Sequence, residues 1–246
     1  MSNARKPASA RNLPTEIAPI GDVMRKLPRG SSSLPKNVVQ HAQRIRLFYA
    51  IAHCVADKGY ADTTMTDITR HAGVSRTTFY ELFTDKEHCF LEGFRIMSGI
   101  HMQSARSALD TSESLADRSI AALKAYNDRI VEQPMLAKAF IVEAQAASPA
   151  IRKALQQAQA QWADIIKDWL KQIRAAHPDV PLATENTLQM VVAGMYRFAV
   201  DTTRHTGDDT DARLLDLTRF TWSALGLYGW ARKLGSTTRR WGAPTR

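Results

Sequence analysis

The sequence predicts an all-α protein, built as a small N-terminal three-helix unit with a helix-turn-helix followed by a larger C-terminal helical bundle. Three observations predict it. Apolar residues recur at helical spacing along most of the chain, no segment alternates with a period of two between turn residues, and three helix starts crowd into the stretch between Thr64 and Glu87. With 246 residues and 44% hydrophobic content, the chain is large enough to bury a core in each part.

Residues 1–36 contain five prolines, two glycines and the run Ser31, Ser32, Ser33, a composition with little to pack, and are expected to form a disordered arm. From Asn37 the texture changes. Leu47, Ile51, Cys54 and Val55 lie on one face of a first helix, which should end at Gly59 in a left-handed cap. Thr64 with Asp67 is a capping box ahead of Ile68. Ser75 follows Gly73 and Val74 as the cap of a second short helix, and Thr84 with Glu87 is expected to open the next one. The brief Ala72-Gly73-Val74 link forces a sharp turn, which is the helix-turn-helix pattern. Ile68, Ala72, Val74, Phe79 and Phe83 can then pack with the first helix, leaving Arg76, Thr77, Tyr80 and Glu81 outward.

After residue 96 the helices lengthen. Ile151, Leu155, Ala158, Trp162, Ile165, Trp169 and Ile173 define a helix between Pro149 and Pro178. Leu188, Val191, Val192, Met195 and Ala199 mark another, over about 184–205. Leu214, Leu217, Thr221, Trp222, Leu225 and Tyr228 mark the last, over about 209–232.

The formal charge is +9, and its location matters more than its size. Residues 1–36 hold seven Lys or Arg against two acids, and residues 231–246 hold five against none, which leaves the body at −1. The tails are basic and the body is neutral. Cys54 and Cys89 both fall in helices, so a disulfide scaffold is not expected. The N-terminus lacks the apolar run of a signal peptide, and the longest apolar stretch, Leu188 to Val200, is too short to span a bilayer. A cytoplasmic protein with no membrane partner is expected.

The series Leu47, Lys58, Gly59, Tyr60, Thr63, Thr64, Met65, Asp67, Ile68, Ala72, Gly73, Val74, Ser75, Thr78, Phe79, Tyr80, Phe83, Asp85, Lys86, Glu87 resembles, in order and without insertions, the N-terminal domain of TetR-family transcriptional regulators. The resemblance divides the chain into a basic arm (1–36), a DNA-binding domain (37–96), an effector-binding and dimerisation domain (97–232) and a basic tail (233–246). It implies a ligand-responsive repressor that binds a (pseudo)palindromic double-stranded operator as a homodimer, with a small-molecule effector and no cofactor. Ser75 to Leu82 becomes the recognition helix. Arg76 suits guanine and Thr77 a thymine methyl or a base acceptor, while Thr64, Thr66, Ser75, Thr78, Tyr80 and Lys86 complete the DNA-binding set, chiefly through phosphates. Leu82 departs from the histidine or aromatic residue common at its position, so no DNA contact is carried over there.

The basic arm, with Arg25, Lys26, Arg29 and Lys36 just before the first helix, is expected to add affinity by following phosphates or the minor groove. The last two helices are expected to form the dimer interface, with Ala193, Gly194, Ala224, Gly226 and Gly229 allowing close approach and Leu188, Val192, Leu225 and Trp222 supplying buried area. Met97, His101, Tyr126, Phe140, Trp162 and Trp169 are expected to line the effector pocket, with Phe94, Met102 and Met190 as further candidates and His101 as the polar group. No catalytic or metal residues are expected: there is no Gly-rich phosphate loop or nucleophile elbow, and the seven histidines are scattered. A helical adaptor that kept the fold without DNA binding is the competing class.

Overall fold

The computed structural model describes residues 35–111, 114–204 and 210–230. Residues 1–34 of the expected arm, all of the basic tail and most of the Thr206–Asp211 polar run lie outside the described residues, while Lys36, expected in the arm, is the first residue of the first helix. Within them the chain is helical, without a strand.

Helix α1 (Lys36–Asp62) starts after Pro35, whose carbonyl accepts from Val38 N–H at 2.9 Å. It is interrupted at Gly59, where φ is 83° and ψ 163°. That break lies outside the left-handed helical basin expected from the sequence, in a region open essentially only to glycine. From Leu47 to Ala56 nearly every residue of α1 is buried, because neighbours surround the helix on several sides.

Helices α2 (Met65–Ala72) and α3 (Arg76–Leu82) form the helix-turn-helix. Phe79, Ile68, Ala72 and Phe83 are buried as expected and Val74 is partly buried. Burial of each large apolar side chain here stabilises the unit by roughly 1.5–3 kcal/mol.

Helix α4 (Lys86–Leu109) starts from Asp85, whose carboxylate accepts from His88 N–H at 2.7 Å. This corrects the expectation that Thr84 caps it; an aspartate one residue on is at least as good a cap and adds a negative charge at the helix N-terminus. The expected division at 96/97 falls inside α4, which runs without interruption from the helix-turn-helix into the bundle.

The bundle holds two elements not anticipated in the sequence. Helix α5 (Leu115–Glu132) is capped by Ser114. Helix α6 (Pro134–Ala137) widens into a π-helical turn (Lys138–Val142) and tightens into a 3-10 turn (Glu143–Ala146). Then come α7 (Pro149–Ala176), capped by Ser148, and α8 (Glu185–Thr202), capped by Thr184, both close to their expected bounds.

Helix α9 (Thr210–Ala224) stops eight residues short of the expected end. Gly226 takes φ 69°, and Leu227 N–H turns back to the Trp222 carbonyl at 2.7 Å, closing the helix before the 3-10 turn Tyr228–Trp230.

The small unit and the bundle share a core at Phe140, which sits fully buried in the π turn. Its ring stacks on Phe48 of α1 at 5.4 Å and meets Phe90 and Phe94 of α4 at 4.8 and 6.5 Å. Gly93 makes room for this: a Cβ there would lie 2.3 Å from the Phe48 ring. Gly93→Ala should therefore cost about 1–3 kcal/mol by overpacking. Gly99→Ala in the same helix has open space and should gain about 0.5–1 kcal/mol. Urea unfolding of both variants checks the pair; equal effects would contradict the packing described.

Candidate nucleic-acid interface and interior chambers

The helix-turn-helix is fixed first by local bonds. The Thr64 hydroxyl accepts from Asp67 N–H at 3.2 Å while the Asp67 carboxylate accepts from Thr64 N–H at 2.9 Å, the reciprocal box expected from the sequence. Asp67 also takes an ion pair from Lys58 and another from Arg70 at 2.9 Å. The Lys58 ammonium and the Thr64 hydroxyl and N–H hold its carboxyl well below the usual range. Gly73 takes φ 61°, ψ 38°, the left-handed position that ends α2, and Val74 N–H returns to the Thr69 carbonyl at 3.1 Å. The Ser75 hydroxyl accepts from Thr78 N–H at 3.0 Å and pairs with the Thr78 hydroxyl at 2.9 Å, opening α3.

Two faces of α3 result. Phe79 and Leu82 turn inward, the Phe79 ring lying 5.5 Å from Phe83. Ser75, Arg76, Thr77, Tyr80 and Glu81 are exposed, Thr78 partly so. Tyr80 is 53% exposed, yet its ring meets Phe79 edge-on at 5.7 Å, so one side of the ring is supported while the rest faces solvent. Arg76 makes no hydrogen bond or ion pair among the described residues. Thr64 and Thr66 are exposed at the start of α2, although the Thr64 hydroxyl is committed to its cap.

Lys86 is placed differently from a free surface lysine. Its ammonium donates to the carbonyls of Tyr60 and Thr63 at 2.7 and 2.8 Å and lies 4.3 Å from the Tyr60 ring centre. Partial burial lowers its pKa from the ordinary lysine value. It ties the α1–α2 turn to α4 and keeps one N–H for another acceptor.

Two arginines unassigned in the sequence do the same elsewhere. Arg46, 8% exposed, donates from Nη2 to the carbonyls of Ala72 and, at 3.0 Å, Gly73, while its Nε has no partner; desolvation lowers its pKa. Arg44 pairs with Glu92 at 2.6 Å, donates to the Leu82 carbonyl at 3.1 Å, and lies 5.1 Å from the Phe83 ring centre. The only sequence signal was an arginine between Ile45 and Leu47 at the head of a buried run. His53 and His71 also meet unexpectedly, their rings stacked at 4.1 Å between α1 and α2.

In the bundle, Met97, His101, Tyr126, Phe140 and Trp162 come together around one chamber of about 50 Å³, with Phe94 beside them. Trp169 lies instead on an adjoining chamber, also of about 50 Å³, which shares Trp162 and Met195 with the first. Met190, a further pocket candidate, is 64% exposed on α8 and points away from both. Met102 is buried in the core and lines neither.

The residues expected to supply area to a dimer interface also need correction. Leu188, Val192, Leu225 and Trp222 are each 4% exposed or less and pack inside one chain, because α5 and α7 cover them; the Trp222 indole donates to Ser119 at 3.1 Å. Apolar residues exposed on α8 and α9 include Met190, Ala193, Phe220 and Ala224, with the Phe220 ring lying against Gly194. Cys54 and Cys89 are buried free thiols, and no described helix is long and apolar enough to cross a membrane.

Residues 48–92 match the family of bacterial regulatory proteins of the tetR family. No curated protein matches the chain. Many solved structures share the fold at low identity, among them three regulators. The fatty acid degradation regulator FadR from Bacillus halodurans has a TM-score of 0.63 at 16% identity, covering 79% of this chain and 96% of its own. The transcriptional regulator FadR from Bacillus subtilis, solved in complex with stearoyl-CoA, has 0.61 at 15%, covering 79% and 99%. A TetR family transcription regulator from Marinobacter aquaeolei VT8 has 0.59 at 19%, covering 76% and 97%.

Burial fixes the acid response of this frame. Desolvation pushes His101 down to about 4, and lowers His71 with help from the His53 charge. Folded pKa values below the unfolded 6.5 mean that the unfolded chain binds more protons on acidification, so stability is flat above that value and falls as pH drops toward 4. His101 alone should cost about 2 kcal/mol by pH 5. Urea unfolding at pH 7 and pH 5 should show this loss, reduced in His101→Gln; an identical loss in the variant would contradict the assignment.

Proposed function

We propose that this chain is a DNA-binding transcription regulator, a ligand-responsive repressor that binds a (pseudo)palindromic operator as a homodimer; residues 48–92 match the tetR family of bacterial regulatory proteins, and the chain shares its fold with solved regulators. The observation that carries the reading is the two-faced α3, whose Phe79 and Leu82 are sealed into the frame while Ser75, Arg76, Thr77 and Tyr80 stand in solvent. A helix of seven residues is about 10 Å long and enters a major groove about 12 Å wide.

In this reading Arg76 donates to guanine and Thr77 meets a thymine methyl or a base acceptor. Tyr80, Thr66 and the Ser75–Thr78 hydroxyl pair suit phosphates; the Thr64 hydroxyl donates to the Asp67 carboxylate at 2.6 Å and reaches a phosphate only by giving up that bond. Lys86 acts mainly by fixing the α1–α2 turn and offers its third N–H to the backbone.

One short helix buries too little to select a site, so two copies reading half-sites about one helical turn apart are needed. The exposed Met190, Ala193, Phe220 and Ala224 support pairing through α8 and α9. The effector reading rests on the two chambers, both lined mainly by aromatic and aliphatic side chains, and the class proposed is an apolar molecule. It must bind the DNA-incompetent arrangement more tightly than the competent one to release the operator.

Fragments selected from random DNA and measured by gel shift test the reading. Specific, salt-sensitive binding is expected, and no binding to any sequence favours the helical adaptor instead. Arg76→Ala should lose about 1–3 kcal/mol on the selected site and relax preference at one base pair per half-site. Equal losses on selected and random DNA would remove Arg76 from sequence readout.

A further inference from the structure

The two interior chambers are not isolated from the surface. A groove of about 320 Å³ opens between the C-terminal end of α4 and the middle of α7. Its floor is Leu109, Ile165 and Trp169, and these same three residues form one wall of the first chamber. The first chamber meets the second across Trp162 and Met195. Groove and chambers therefore lie in series, and every partition named between them is made of side chains shared by the two spaces it divides.

Volume decides what such a series can hold. A chamber of about 50 Å³ has room for a few water-sized groups, whereas sites for small organic ligands measure roughly 300–1,000 Å³. Neither chamber suffices alone. The groove reaches the lower end of that range by itself, and joined to it the two chambers extend it inward as one long and narrow path. The inner partition can yield, since a methionine changes rotamer readily and Trp162 is only half-buried, resting edge-on against Tyr126 at 5.3 Å.

The polarity is graded along the path. The groove carries Gln103, Arg106, Ser107, Asp110, Asp168 and Gln172, of both charges and several neutral donors. The first chamber is lined by apolar surface, but two of its residues hold unpaired polar atoms: the indole N–H of Trp169 and the hydroxyl of Thr221, both side chains 95% buried and without a hydrogen-bond partner. Unpaired buried donors of this kind cost about 1–3 kcal/mol each unless an acceptor reaches them. The Trp169 indole stands at the junction of groove and chamber.

We infer that the effector enters between α4 and α7 through the Leu109–Ile165–Trp169 portal, and that it is a long, narrow, largely apolar molecule with one polar end. The apolar length displaces Trp162 and Met195 to join the chambers, and the polar end stays in the groove, with an acceptor at its neck taking the Trp169 N–H. This rests on the effector-responsive reading above, and it fixes the shape and route that reading leaves open.

The test uses the full-length protein without DNA and two probes, the fluorescent long-chain cis-parinaric acid and the compact adamantane-1-carboxylic acid. Parinaric acid should bind and the compact acid should bind at least about tenfold more weakly. Ala122→Phe, which fills the first chamber from its partly exposed side, should weaken parinaric acid by about tenfold, and Leu109→Ala, which thins the portal, should speed its association several-fold. Both variants are checked for unchanged binding to the selected DNA, so that loss of the regulator reading and loss of this one are seen separately. Equal binding of the two acids, an affinity untouched by Ala122→Phe, or an association rate untouched by Leu109→Ala would each overturn the proposal.

Discussion

Three cations, each borrowed from another helix, finish the carbonyl ends of the small unit. Arg46 of α1 takes the carbonyls of Ala72 and Gly73 where α2 ends, Arg44 of α1 takes that of Leu82 where α3 ends, and Lys86 of α4 takes those of Tyr60 and Thr63 where α1 gives way to α2. A seven-residue helix has no stability of its own in water, so α3 exists and points where it does only through such ties and the Phe79 core. Burying a guanidinium is costly unless its donors are used. That cost makes the Arg46 arrangement specific: the charge is tolerated where the turn's carbonyls meet it and nowhere adjacent.

The same frame is continuous with the bundle. Helix α4 begins beside the helix-turn-helix at Asp85 and Lys86 and carries Phe94, Met97 and His101 to the inner chamber within one uninterrupted helix. Phe140, in the π turn, touches α1 and α4 together and also lines that chamber. A π turn suits such a contact because its extra residue re-aims side chains within a helix. Under the proposed repressor reading, a ligand filling the chamber would press on elements that also position α3, the physical link a two-state response requires.

What the sequence disclosed and what it concealed divide along distance in the chain. Thr64 with Asp67, Ser75 and Gly73 announce themselves because their partners lie within a few residues, and Pro149 does the same for the start of α7. The small core was readable because five apolar residues had only one way to face α1. The cation ties were not, since Arg46 and Ala72 are 26 positions apart and Arg44 and Leu82 are 38 apart, with no local pattern to connect them. Asp85 outcompeted Thr84 as a cap, and Gly226 ended α9 early although the apolar spacing ran on to Tyr228. Helix α5 escaped notice because polar Ser119 and Asn127 hold buried positions on its inward face, and the α6 segment because Pro134 and the π turn break its period into pieces. At the interior site, the large aromatic residues signalled a pocket, but which of them shared a chamber depended on how α4, α5, α7 and α8 pack.

The hold of buried Arg46 on the presenting orientation of α3 is measured by native-state hydrogen exchange on Arg46→Met, which keeps the bulk of the side chain and removes its donors. The amides of Phe79 in α3 and of Phe83 just after it should exchange at least about tenfold faster, equivalent to about 1.4 kcal/mol, while the amides of α7 and α8 keep their protection. Unchanged protection across Ser75 to Phe83 would show that α3 does not depend on the guanidinium.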